Sequence, residues 1–214
     1  MSAGFVTAAE MQEQLGGVPL ERIRMIPPPG MATDEDALRI QDSEGRTCEV
    51  LDGVLVEKAM GFFEARIATV LAYLIERYLE GNNLGIVVGP DGLIRLKVGR
   101  TRAPDVAFIR WKKFPGGQFP TAAVPTVVPD LTVEVLSKGN TRAEIETKLD
   151  EYFAAGVTMA WIIDPAREVA RIYVTRENVT EIREDGVLRA PEVLPGFEVS
   201  LRDLLNRARK GASG

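Results

Sequence analysis

The sequence predicts an α/β fold: a mixed β-sheet flanked by helices and preceded by an N-terminal arm. Three observations point to it. Short runs rich in β-branched residues, broken by Gly, Pro and Asp turns, recur between residues 47 and 174. Two long segments, 62–80 and 141–156, instead carry apolar residues at three- and four-residue steps, the period of a core-packed helix. The order of hairpin, helix, three strands, strand, helix and two strands then lays the helices against one mixed sheet. At roughly 100–200 residues per domain, 214 residues make a single compact domain. We divide it into an N-terminal helix and extended arm, 1–46, and a sheet-and-helix body, 47–209.

Along the chain, Thr7-Ala-Ala-Glu10 has capping-box spacing and opens a short helix that Gly16-Gly17 ends. The run Pro27-Pro28-Pro29-Gly30 forces an extended turn. Asp52-Gly53 between the apolar runs 47–51 and 54–58 is a two-residue hairpin signal. From Phe62 to Glu80, residues Phe63, Ile67, Val70, Leu71, Leu74, Ile75, Tyr78 and Leu79 form a helical stripe that Gly81-Asn82-Asn83 stops. Strands follow at 84–88, 93–98 and 106–111, and the Pro/Gly-rich stretch 114–129 is read as an exposed loop. Asp130–Leu136 is a strand by its alternation. Thr141-Arg-Ala-Glu144 caps the next helix, and Gly156 sits where a left-handed terminator belongs. The runs 159–163 and 169–174 pair as strands, and 201–209 is a short basic amphipathic helix.

Composition narrows the chemistry. Hydrophobic residues at 45% and charged residues at 27% match a globular protein. There is no histidine, which excludes Ser-His-Asp and Cys-His nucleophiles, His-based zinc sites and any nuclease that deprotonates water with imidazole. A lone cysteine, Cys48, forms neither an internal disulfide nor a zinc cluster. No basic segment followed by an apolar one opens the chain, and the longest nearly apolar run, 67–75, is well short of the roughly 20 residues a membrane span needs. A reducing cytoplasm is the expected compartment. No G-x-x-x-x-G-K-[ST] occurs, so P-loop nucleotide hydrolysis is excluded. Net charge is -5, yet between Arg95 and Lys113 seven basic residues face one acid, Asp105. Such a basic stripe around a carboxylate suits phosphate gathered near a metal, although strand and loop cations are more often plain solvated charge.

The informative acids are those in strands that would otherwise be apolar. Asp105 begins Asp105-Val-Ala-Phe-Ile109 directly after Pro104, and Glu134 sits in the middle of Leu131-Thr-Val-Glu-Val-Leu136. A carboxylate buried in a sheet needs a cation, hydrogen bonds or an altered pKa. A shared divalent metal meets that need. Lys148 lies on the shoulder of its helix's apolar stripe, where its stem can cross the sheet while the ammonium reaches both acids. Glu64 occupies the first turn of the long helix, where a carboxylate also suits the helix dipole.

These residues resemble a known pattern. Pro104-Asp105, followed 29 residues later by Glu134-Val135-Leu136 on a strand that leads into a helix, resembles the PD-(D/E)XK restriction-endonuclease-like superfamily. Within it, the chain is similar to the Uma-two family of bacterial endonucleases. The resemblance is carried by residues 49–58, 102–107, 133–137, 148–156 and 161–165 in order, and extends from Thr7 to Leu205. It implies a restriction-endonuclease-like fold and a homodimer that hydrolyses DNA with Mg²⁺ or Mn²⁺. It also implies metal ligation by Asp105, Glu134 and the Val135 backbone carbonyl, with Glu64 as a further acid. The superfamily's lysine two positions after the glutamate is Leu136 here, so that role passes to Lys148. Many family members also carry a histidine near Glu64, which this chain lacks.

Two competing functions come from other classes. The missing lysine and the acidic pI of about 5.1 suit a nuclease-like fold that binds or assembles without cleaving. A glycosidase needs only two suitably spaced acids, but two tryptophans and few other aromatics make a poor sugar platform.

Overall fold

The structure, a computed structural model, describes residues 7–210. Residues 1–6 of the expected arm lie outside the described residues. The chain folds into helices α1 (Ala8–Gln14), α2 (Asp34–Glu44), α3 (Phe62–Leu79), α4 (Arg142–Ala155) and α5 (Leu201–Arg209) around three sheets. The first sheet contains β1 (Ile23–Arg24), β2 (Cys48–Leu51), β3 (Val54–Glu57), β5 (Ile94–Lys97) and β6 (Arg100–Arg102), in the order β1-β3-β2-β6-β5. The second contains β4 (Gly85–Val88), β7 (Val106–Arg110), β8 (Leu131–Val135), β9 (Met159–Asp164), β10 (Val169–Tyr173) and β11 (Val179–Ile182), in the order β11-β10-β9-β8-β7-β4. β12 (Val187–Ala190) and β13 (Leu194–Ser200) form an antiparallel ribbon.

Within the second sheet β8 and β9 run parallel, joined through α4, while the other pairs are antiparallel. A parallel pair needs such a crossover, and the apolar run on each strand reflects burial on both faces. One face packs α3 and α5, with Ile67, Leu71 and Ile75 meeting Val106, Phe108, Val133, Trp161 and Leu204. Ile145 and Leu149 of α4 cover Ala160, Ile162 and Tyr173 on the other face. Because strand side chains alternate, Val133 and Val135 join the α3 side and Glu134 is turned to the α4 side.

The helices at 8–14, 62–79, 142–155 and 201–209 agree with the sequence, as does the hairpin turn at Asp52-Gly53, where both residues have positive φ (49° and 76°). Four features differ. The expected single mixed sheet is two sheets and a ribbon, because β2–β3 pairs with a second hairpin folded back at Gly99 instead of joining β7. The segment expected as an extended arm contains β1 and α2. α2 buries only Ala37 and Ile40, and its capping box uses Asp36 where Glu or Gln is the usual signal. The loop expected to be exposed buries Phe114, Val124 and Val127. Finally, α1 and the residues after it pack Met11, Leu15 and Val18 against Leu51, Val54 and Val56 of the hairpin.

Candidate active site

The two sheets and α4 meet at a cluster of buried charges. Val106 pairs with Val133, so the antiparallel register places Asp105 and Glu134 opposite each other one step further along. Asp105 Oδ2 accepts the Val135 backbone N–H at 2.6 Å, and its Oδ1 lies 2.7 Å from Lys58 Nζ, which follows β3. The ammonium approaches at an angle that makes no hydrogen bond to Oδ1. Lys58 also donates to the Pro90 carbonyl at 2.9 Å. Glu134 Oε2 accepts from Lys148 Nζ at 3.1 Å and Glu134 Oε1 from the Tyr152 hydroxyl at 2.5 Å. Lys148 and Tyr152 are four apart on α4 and therefore share a face.

From the first sheet, Glu49 of β2 completes the cluster. Its Oε1 lies 3.2 Å from Lys148 Nζ and accepts the Ala103 N–H at 3.1 Å. Its Oε2 accepts from Arg102 at 2.6 Å, and Arg102 also donates to Glu151 of α4 at 2.7 Å. Glu49, Arg102, Asp105, Glu134 and Lys148 are all buried. Four acids (Glu49, Asp105, Glu134, Glu151) thus meet three cations (Lys58, Arg102, Lys148) between the two sheets and α4, with Arg102 shared by Glu49 and Glu151.

Each shift in the cluster is a contest between burial, which disfavours charge, and the partners. For Glu49, burial pushes the carboxyl up, but Lys148 and Arg102 outweigh it and hold it well below the usual carboxylate range. Glu134 goes the other way: burial raises it, Lys148 only partly offsets that, and Asp105 opposite adds like-charge repulsion. Burial disfavours the Lys148 ammonium, yet Glu134 and Glu49 push its pKa up, so it stays a cation. The Tyr152 hydroxyl is raised well above its ordinary value, first by burial and then by Glu134, and stays a donor.

The structure therefore brings together Asp105, Glu134 and Lys148. Glu64 stands apart on the first turn of α3, half-buried, in a cleft of about 680 Å³ whose walls include Leu136, Lys138, Arg142, Arg167 and Arg171. It makes no hydrogen bond or ion pair with the cluster. Among the described residues, no three acids, cysteines or histidines converge as a metal-binding group. What the cluster offers a cation is the Asp105–Glu134 pair, whose Asp105 Oδ1 takes no hydrogen bond. Mg²⁺ binds through as few as one or two carboxylates and retains waters, so this oxygen set fits a hard divalent ion.

The basic stripe is not a free phosphate face. Arg95 pairs with Asp34, Arg100 with Asp52, Arg102 with Glu49 and Glu151, and both Arg110 and Lys113 with Asp130. Sequence reasoning missed Glu49, Lys58, Arg102 and Tyr152. Glu49 was findable, since it is an acid between Cys48 and Val50 in an otherwise apolar strand, the same signal that marks Glu134.

No helix among the described residues is long and apolar enough to cross a membrane. No curated protein matches the chain. Among solved structures, it is similar to a "putative nuclease belonging to DUF820" from Anabaena variabilis ATCC 29413. The identity is 18% and the TM-score 0.69, over 81% of this chain and 97% of that one, a likeness of fold. A family model described as "Putative restriction endonuclease" matches residues 34–202, a span holding every residue of the buried cluster, and the chain belongs to this family, Uma2.

Proposed function

We propose that the chain is a metal-dependent endonuclease that hydrolyses DNA phosphodiester bonds at the Asp105–Glu134 pair. The observation that carries this reading is the pair itself: two buried carboxylates, one just before β7 and one on β8, a step beyond the Val106–Val133 pair, in a chain of this family. Asp105, Glu134 and the Val135 carbonyl would hold Mg²⁺ or Mn²⁺, with Glu64 in the adjoining cleft left outside this set. When bound, the ion supplies a water of lowered pKa and neutralises charge that builds on the phosphate oxygens.

The chain's own residues prepare the site for that chemistry. The Val135 N–H fixes Asp105, and Tyr152 and Lys148 hold one oxygen each of Glu134. Lys148 acts as a fixed positive charge, not as a proton donor, since its two acids keep it protonated. In the adjoining cleft, Lys138 and Arg142 make no ion pair among the described residues and would hold the phosphates of the bound strand.

Purified protein incubated with plasmid or single-stranded DNA and Mg²⁺ or Mn²⁺ tests this directly. Cleavage should fall at least about a hundredfold in Glu134→Gln, the scale of losing one group that organises a charged transition state. Equal cleavage by both proteins overturns the assignment. A second reading, a family member that binds without cleaving, is favoured by one observation: the acids already have protein cations as partners. Failure to bind Mn²⁺ at millimolar concentration would support it.

A further inference from the structure

Lys58 has no part in the chemistry proposed above, yet its ammonium occupies the one oxygen of Asp105 that the backbone leaves open. Its side chain is 6% exposed, and its other contact is the Pro90 carbonyl. The contact to Asp105 Oδ1 is an ion pair without a hydrogen bond, so the ammonium meets that oxygen as a point charge. Among the cluster's cations, Lys58 is the one paired with Asp105. A divalent ion entering on Asp105 and Glu134 would place two further positive charges beside Lys58 in a desolvated space, where repulsion between like charges is strong. An ammonium and a divalent ion both at contact distance from Asp105 would repel each other at short range.

We propose that Lys58 is a place-holding cation: its ammonium fills the metal position on Asp105 while no metal is bound, and it must leave when a divalent ion binds. The inference rests on the metal-dependent reading above. It gives Lys58 two effects, keeping buried Asp105 compensated in the metal-free protein and weakening the metal by competition. Lys148 does not share this role, because it is shared between Glu134 and Glu49 and touches no oxygen of Asp105.

Two measurements on the full chain with Mn²⁺ alone as probe test it. In the wild type, lysine acetylation quantified by mass spectrometry should rise at Lys58 at least about fivefold on saturation with Mn²⁺, while exposed Lys97 serves as the unchanged reference. In calorimetric titrations, Lys58→Met should bind Mn²⁺ at least about tenfold more tightly than wild type, and Lys58→Arg, which keeps the cation, should bind like wild type. If Lys58→Met does not fold, the labelling of the wild type decides alone. Metal binding with unchanged Lys58 labelling, or with no gain of affinity in Lys58→Met, overturns the place-holding role and leaves the nuclease reading standing. No Mn²⁺ binding by either wild type or Lys58→Met overturns the metal-dependent reading itself.

Discussion

Replacing Arg102 with methionine probes how far the buried charges depend on one another. Arg102 is 1% exposed and reaches Glu49 Oε2 at 2.6 Å and Glu151 Oε2 at 2.7 Å. Methionine keeps much of the apolar stem, so the change removes charge more than volume. Taking away one partner of a buried ion pair costs up to about 3–5 kcal/mol, because the remaining charge stays buried with less compensation, here Lys148 and the Ala103 N–H alone. For a chain of this length each kcal/mol moves the melting temperature by about 2–4 °C, which gives a fall of up to about 6–20 °C. Urea unfolding near neutral pH, followed by circular dichroism, reads the loss. The Arg102→Met, Glu49→Gln double variant should recover part of it, since the under-compensated carboxylate is then neutral, and the two losses should be non-additive. A loss below about 1 kcal/mol, the value of an exposed pair, or strict additivity in the double variant, would refute the reasoning.

Three further outcomes follow from the same geometry. Tyr152→Phe removes the hydroxyl that donates to Glu134 Oε1 and should cost about 1.5–3 kcal/mol in urea unfolding, the value of a hydrogen bond to a charged group. Burial pushes the Glu144 carboxyl up, but Arg22 and Lys148 together outweigh it and hold it below its ordinary value. Its contribution to stability is therefore complete above the ordinary value of about 4.3 and fades as pH falls through the lowered native value. The stability gap between wild type and Glu144→Gln should stay constant from about pH 7 to pH 5 and narrow below that. Burial pushes the Cys48 thiol up to about 11, so a thiol reagent at about pH 8 should leave the native protein unmodified and label it after unfolding in guanidinium. Fast labelling of the native protein would contradict that burial.

Asp105 and Glu134 were legible because a carboxylate inside a β-branched run is chemically out of place, and Lys148 because helical spacing sets it beside an apolar stripe. Asp52-Gly53 and the capping boxes at Thr7 and Thr141 were legible because their signals are local. What escaped depends on pairing across long separations. Nothing near Arg102 says that its partners are Glu49, 53 residues earlier, and Glu151, 49 residues later. Read alone, Arg102 was one more member of a basic stripe. Glu64 came from the resemblance alone, and the first turn of α3 sets it in the cleft lined by Leu136 and Ile145. The split into two sheets was hidden for a similar reason, since alternation reveals a strand but not which neighbour it chooses.

Arg22 belongs to none of the helices or strands that carry the chemistry, and it precedes the family-matched span, yet it works as a strap. Its guanidinium grips both oxygens of Glu144 at 2.8 Å and also reaches the backbone carbonyls of Glu57 and Gly139. Glu144 is also the residue whose carboxylate closes the start of α4. Trimming the protein to the family-matched span that starts at residue 34 would therefore cut the tether that seats the helix bearing Lys148 and Tyr152, and would strand an acid beneath it. The leading segment is a mechanical support of the helix that carries part of the buried charge cluster, and shortened versions should be judged by whether they keep Arg22.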